Sequence, residues 1–188
     1  MTQEVFLLFS NTVAFFLALL FVRAAIHKLG DRYRFQGILA DYDILPEGAL
    51  APASFVLPVL ELGTAVLLLM PTTRAVGGAL AGTLLAVYAI AMAISLARGR
   101  YLMDCGCGGA PEPISWLLVA RNAALVGLIA PTAAGYTRGM AAGLTEDAAT
   151  LGIAVLLILL WLAAETMFAN ARRMNEVLPS PIVTWSAP

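Results

Sequence analysis

The only two cysteines of the chain, Cys105 and Cys107, stand one residue apart in the run Asp104-Cys105-Gly106-Cys107-Gly108-Gly109. The glycines let the backbone take positive φ and fold tightly around them. A disulfide needs Cα atoms within about 7 Å, and a single intervening residue meets that only in a bent, strained geometry. Strained, exposed disulfides are the labile and oxidising kind, so the pair reads as a thiol–disulfide exchange site before a structural staple. Closing so short a loop would remove little chain entropy. Two other readings stay open: incidental loop thiols, or a soft-metal site for Cu(I) or Hg(II), which accept sulfur ligands. Zinc wants four ligands and His27 is the lone histidine, so no metal cofactor is expected. Asp104 is expected to raise a neighbouring thiol's pKa. The positive end of a helix starting after Pro111 and Pro113 would lower it.

Two ionisable residues fall well inside apolar runs, Glu61 and Arg121, and Glu165 breaks the last run near its end. Such residues are costly in hydrocarbon and usually face the bundle interior in pairs. A Glu61–Arg121 ion pair is the simplest expectation. The functional alternative is that one of them polarises or protonates a substrate headgroup such as a quinone carbonyl, with Asn122 and Tyr88 adding hydrogen bonds. For Tyr88, aromatic packing is the plainer reading. His27 and Lys28 follow the first apolar run and are expected at the interface, the lysine snorkelling and the histidine at the surface.

These residues need elements to hold them, and composition names the solvent. Of 188 residues, 61% are hydrophobic and 12% charged, with a mean hydropathy of +0.87; soluble domains carry about twice that share of charge. So much apolar surface does not fit inside one small soluble core. The net charge of −1 gives no nucleic-acid footprint, and two cysteines do not make a disulfide-stapled secreted scaffold. The expected fold is all-α: a polytopic membrane helical bundle in the lipid bilayer, with four to five transmembrane helices.

The spans are expected at Val5–Val22, Ala49–Met70, Ala75–Ala97, Ile114–Ala133 and Ala148–Asn170, the fourth weakened by Arg121. The first lacks a basic n-region and reads as a retained span rather than a cleaved leader. Between the first two spans, Arg23 to Gly48 mixes aromatic and charged residues, as suits an interfacial cap, and Pro46 ends it. Gly78 and Gly82 give small-xxx-small spacing, read as close packing within one bundle. Residues 1–170 form a single bundle domain, and 171–188 a short exposed tail.

The ordered set Ala25-Ile26-His27-Lys28-Leu29, Arg34-Phe35, Tyr42, Pro46, Glu61, Tyr88, Arg98-Gly99-Arg100, Asp104-Cys105-Gly106-Cys107, Trp116 and Arg121-Asn122 resembles the methylamine utilisation protein MauE family, itself similar to the DoxX-like group. The resemblance spans roughly residues 5 to 165, and the Asp-Cys-Gly-Cys element is its most specific part. It implies a membrane factor for disulfide formation in the small subunit of methylamine dehydrogenase, acting with a thioredoxin-like partner, MauD. Similarity to vitamin K epoxide reductase-type bundles would add a quinone as electron acceptor. Gly108 departs from the larger residue expected there, and there is no second cysteine pair, so a relay would run directly between Cys105–Cys107 and a partner or quinone. A non-catalytic assembly chaperone is the remaining alternative.

Charge and chemistry disagree over orientation. With five spans, Arg23, Lys28, Arg32, Arg34, Arg98, Arg100, Arg172 and Arg173 fall on the side of the cysteine loop, and only Arg74 and Arg138 on the other. The positive-inside rule puts that loop in the cytoplasm, where thiols are held reduced. Disulfide formation asks for the opposite, and the expectation follows the chemistry: a bacterial inner membrane protein with an extracytoplasmic pair.

Overall fold

A computed structural model describes residues 3–107, 112–136 and 144–177. Six helices follow in order: α1 (Gln3–Gly30), α2 (Arg32–Tyr42), α3 (Glu47–Leu69), α4 (Arg74–Ala97), α5 (Trp116–Tyr136) and α6 (Leu144–Val177). No strand occurs among the described residues, and one isolated antiparallel bridge joins Asp104 to Pro113. The all-α membrane bundle is what the composition demands: with no water in the hydrocarbon, each span must satisfy its backbone internally.

Among the described residues four helical segments are long and apolar enough to cross a bilayer: Leu8–Gly30, Glu47–Leu69, Arg74–Ala97 and Ala148–Met167. The apolar part of α5, Trp116–Ile129, is shorter, but the helix has 21 residues and is about 31 Å long. Ion pairs set its direction. Arg121, in the second turn of α5, meets Glu165 in the later part of α6, and Glu165 also meets Arg23 in the later part of α1. The start of α5 therefore shares an end of the bundle with the later parts of α1 and α6. At the other end Arg74, opening α4, donates to Asn11 of α1 and to the carbonyl of Leu68 at 3.1 Å.

The interfacial cap is smaller than expected. The first helix does not stop at Arg23 but runs to Gly30, so the cap helix proper is α2. Asp31 caps it by accepting from the amide of Arg34 at 3.0 Å, and Asp43 ends it in the left-handed region, φ 51°. Pro46, extended at φ −65° and ψ 150°, turns the chain into α3. At the far end α6 continues to Val177, into the stretch expected as tail. Pro179, Pro181 and Pro188 lie outside the described residues, as do Gly108, Gly109, Pro111 and Arg138.

Phe16, Leu17 and Phe21 of α1 form the packed centre with Leu68, Leu84, Leu85, Leu125 and Ile158. Tyr42, Met92, Leu96, Met103, Ile114 and Leu118 make a second cluster beneath the cysteine loop. In lipid, association rests on close packing rather than on hydrophobic expulsion, and the glycines of α4 serve it. Gly78 is buried, and at Gly77 an added Cβ would lie 2.7 Å from the Leu68 amide nitrogen, so α3 and α4 touch backbone to backbone there.

Candidate functional site

The cysteine loop is pinched at its base. The Ile114 amide donates to the Met103 carbonyl at 2.9 Å, and the Cys105 amide to the Glu112 carbonyl at 3.0 Å. Asp104 organises what lies between. One carboxylate oxygen accepts from the amides of Gly106 and Glu112, at 3.3 and 3.4 Å. The other takes the Arg34 guanidinium of α2 at 2.8 Å. Tyr42, also on α2, donates its hydroxyl to the Cys105 carbonyl at 3.3 Å, and burial pushes its own pKa well above the tyrosine range. The cap helix thus holds the loop by a side-chain charge and a backbone oxygen.

Gly106 is required for two separate reasons. Its φ of +68° lies in the left-handed region, which supplies the bend a one-residue separation needs. A Cβ there would also stand 3.2 Å from Ile38 Cγ2 and 3.5 Å from a ring carbon of Phe35. The bend brings the cysteines together: the Cys107 amide donates to Cys105 Sγ at 3.2 Å. Both thiols are free and half-buried.

The two sulfurs are not equivalent. Cys105 is pushed up, first by its side-chain hydrogen bond to Cys107 and then by burial. Cys107 is pulled down, first by that same bond from Cys105 and then, against burial, by the positive charges of Arg121 and Lys28. A lowered pKa marks the better thiolate and the better leaving group.

Beneath the loop the charges pair in a pattern the sequence reading did not anticipate. Glu61 does not pair with Arg121. It accepts from Lys28 in a buried ion pair and from the Tyr88 hydroxyl at 2.8 Å. Lys28 is therefore not an interfacial, snorkelling residue; its ammonium lies inside the bundle, 4.7 Å from the Tyr88 ring centre and 5.2 Å from that of Phe35. The reason is length: α1 runs about two turns past its expected end at Val22, which draws Lys28 into the packing. Arg121 goes instead to Glu165 at 3.4 Å and stacks over Trp161 at 5.1 Å, while Trp161 donates to the same carboxylate at 2.8 Å. Three polar atoms here have no partner although buried: Glu61 Oε2, Asn122 Nδ2 and Arg121 Nε.

Two cavities meet at the cysteines. The outer one, about 430 Å³, is lined by His27 and by charged residues including Arg23, Asp31, Arg34 and Glu112. The inner one, about 330 Å³, is walled mainly by apolar side chains and holds Glu61, Tyr88, Asn122 and Trp161. Arg23, Lys28, Phe35, Ile38, Cys105, Gly106, Cys107 and Glu165 line both. They form the partition between a polar vestibule and an apolar chamber.

All the expected site residues gather at this one end of the bundle, with His27 exposed at the vestibule rim. Asp104 is held by Arg34 rather than left to oppose the thiols. The lowering of Cys107 comes from Cys105, Arg121 and Lys28, not from the start of α5, which opens only at Trp116. Tyr88 makes a hydrogen bond as well as packing. Sequence reasoning missed Arg23, Arg34, Phe35, Ile38, Tyr42, Trp161 and Glu165 as members of the site. The signal for Glu165 was present: it is a charge inside an apolar run, as Glu61 and Arg121 are. Among the described residues no three His, Cys, Asp or Glu side chains group as a metal-binding set.

Comparison with known proteins gives a consistent match. The sequence model of a family described as "Methylamine utilisation protein MauE" matches residues 6–136. The "Methylamine utilization protein MauE" of Paracoccus denitrificans is 40% identical over 154 residues, covering 81% of this chain and 83% of the relative. The protein of that name from Methylorubrum extorquens is 44% identical over 112 residues, 58% of this chain and 60% of the relative. That from Methylophilus methylotrophus is 36% identical over 155 residues, 81% and 82% respectively. No solved structure matches.

Proposed function

The chain belongs to the methylamine utilisation protein MauE family, and on that premise we propose that it is a membrane thiol–disulfide exchange factor serving methylamine utilisation through Cys105 and Cys107. The observation that carries this reading is the position of the two free thiols, held by Gly106 in the partition between the two cavities, with Cys107 lowered and Cys105 raised.

In the reaction, a partner thiolate attacks Cys105 Sγ of the oxidised pair. The Cys105–Cys107 bond breaks and a mixed disulfide forms. Cys107 leaves as the thiolate, facing the charges of Arg121 and Lys28. The partner's second thiolate then attacks its own sulfur in the mixed disulfide, releasing Cys105. Two electrons and two protons pass from the partner dithiol to the pair. The vestibule supplies the access for a partner of protein size. The proposed partners are a thioredoxin-like, MauD-like protein and a disulfide-rich client such as the small subunit of methylamine dehydrogenase.

The chemistry puts the vestibule on the extracytoplasmic side of a bacterial inner membrane. The structure weakens the contrary charge count: Lys28 and Arg23 lie within α1 and are paired with Glu61 and Glu165, so they are not free loop charges.

The test uses cells making the full chain. A Cys107→Ser variant is expected to trap its partner on Cys105 as a gel-stable mixed disulfide. Disulfides in the client subunit are expected to be lost in both single variants. Normal client oxidation in a Cys105→Ser/Cys107→Ser double variant would overturn the proposal in favour of an assembly chaperone. Stoichiometric Cu(I) on the purified protein, lost with either cysteine, together with no exchange, would overturn it in favour of metal carriage.

A further inference from the structure

An exchange site that oxidises its partner must itself be reoxidised, and the inner chamber has the features of the place where that happens. We propose that it is a binding site for a quinone taken from the bilayer, seated with its ring against Asn122 and Glu61; this rests on the exchange reading above.

Three observations carry the assignment. The walls are apolar, from Phe21, Leu57, Leu85 and Leu125 among others, and they reach the lipid-facing surface between α3 and α4 at Val56 and Val87, each 48% exposed. The ligand therefore comes from hydrocarbon, not from water. The chamber's polar end holds a buried donor and a buried acceptor without partners, Asn122 Nδ2 and Glu61 Oε2, in residues 3% and 0% exposed. Buried groups of this kind are costly unless a ligand completes them. Each cation on the chamber wall already faces a carboxylate, Lys28 at Glu61 and Arg23 and Arg121 together at Glu165.

The ligand is thus lipophilic and able both to accept and to donate a hydrogen bond. A quinone carbonyl accepts from Asn122, and the hydroxyl of the quinol donates to Glu61, so one site serves both redox forms. The cysteines stand in the chamber wall. The reaction balances as dithiol plus quinone giving disulfide plus quinol: two S–H bonds break, one S–S bond and two O–H bonds form, and two electrons and two protons move.

Trp161 lines the chamber and provides a readout independent of turnover. In a Trp116→Phe/Trp185→Phe background of the full chain in nanodiscs, ubiquinone-1 is expected to quench Trp161 fluorescence saturably. Asn122→Leu is expected to weaken binding about tenfold, as the loss of one buried hydrogen bond implies. Val87→Phe, on the lipid face and clear of the core, is expected to slow binding from the membrane. Mixed anaerobically with the reduced protein, ubiquinone-1 is expected to consume both thiols in one turnover. Absence of saturable quenching, or wild-type binding in both Asn122→Leu and Val87→Phe, would overturn the site. The two readings fail separately. Quenching that persists in Cys105→Ser/Cys107→Ser while client oxidation does not depend on the cysteines sinks the exchange reading alone. Cysteine-dependent client oxidation without quenching sinks the quinone site alone.

Discussion

Lys28 of α1 and Glu61 of α3 form an ion pair inside the bundle, their side chains only 4% and 1% exposed, and Tyr88 of α4 donates to the same Glu61 oxygen. Three helices are tied at one carboxylate directly beneath the cysteine loop. Lys28 lines both cavities, as Arg23 and Glu165 do, so the two ion pairs together set the charge in the partition.

Breaking such a pair from one side leaves an uncompensated buried charge, at a cost of about 3–5 kcal/mol. Lys28→Met and Glu61→Gln are each expected to destabilise the bundle by that amount in detergent unfolding. The double variant is expected to lose much less than the two costs added. Single variants within 1 kcal/mol of wild type would show that the pair is not a structural tie.

At Gly106, alanine meets two obstacles: a positive φ, costing about 1–2 kcal/mol, and a Cβ within 3.2 Å of Ile38. Gly106→Ala is expected to impair disulfide formation between Cys105 and Cys107 more than it lowers overall stability. Adding Ile38→Ala removes the steric conflict but not the backbone one, so only partial rescue is expected. Intramolecular oxidation followed by maleimide gel shift reads both, and full rescue would assign the whole effect to packing.

The asymmetry of the thiols predicts a pH profile. Cys107 is lowered chiefly by the hydrogen bond from Cys105, so its thiolate is present above a pKa below the ordinary thiol value and is lost as pH falls through it. Iodoacetamide alkylation of Cys107 is expected to begin at lower pH in the wild type than in Cys105→Ala. In that variant burial is opposed only by Arg121 and Lys28, and the inflection moves up. An unmoved inflection would contradict the assigned cause.

Helix direction says which elements share an end of the bundle, and the proposed exchange chemistry says which end faces out. The cysteine loop and the later part of α6 share one end of the bundle, and the start of α1 lies at the other. A membrane-impermeant maleimide is expected to label intact cells at Cys105 and Cys107 only after external reductant. A tag at the N-terminus is expected on the opposite face. Labelling only after lysis would put the pair in the cytoplasm.

Much of the site was legible from residue type. Cys105 and Cys107 are the chain's only thiols, Gly106 is the residue a sharp bend calls for, and Glu61 and Arg121 stand out because charge is rare in apolar runs. The partners were not legible. Glu61 had Lys28, Arg23 and Arg121 as potential counter-charges, and only the crossing of α1 against α3 selects Lys28. Arg34 reads as one more charge of a polar segment until α2 folds over the loop and brings it to Asp104.

The sequence by itself determined the solvent and the all-α class, and it singled out Cys105 and Cys107 as the chain's only thiols, because hydropathy, helical length and residue type are properties of the local chain. Only the tertiary structure decided which charges neutralise one another, that Lys28 is buried, and that the thiols divide a polar vestibule from an apolar chamber. Those depend on distances between helices far apart in the chain. In a low-dielectric interior a difference of a few ångströms between counter-charges changes their interaction by several kcal/mol, and no local pattern encodes that separation.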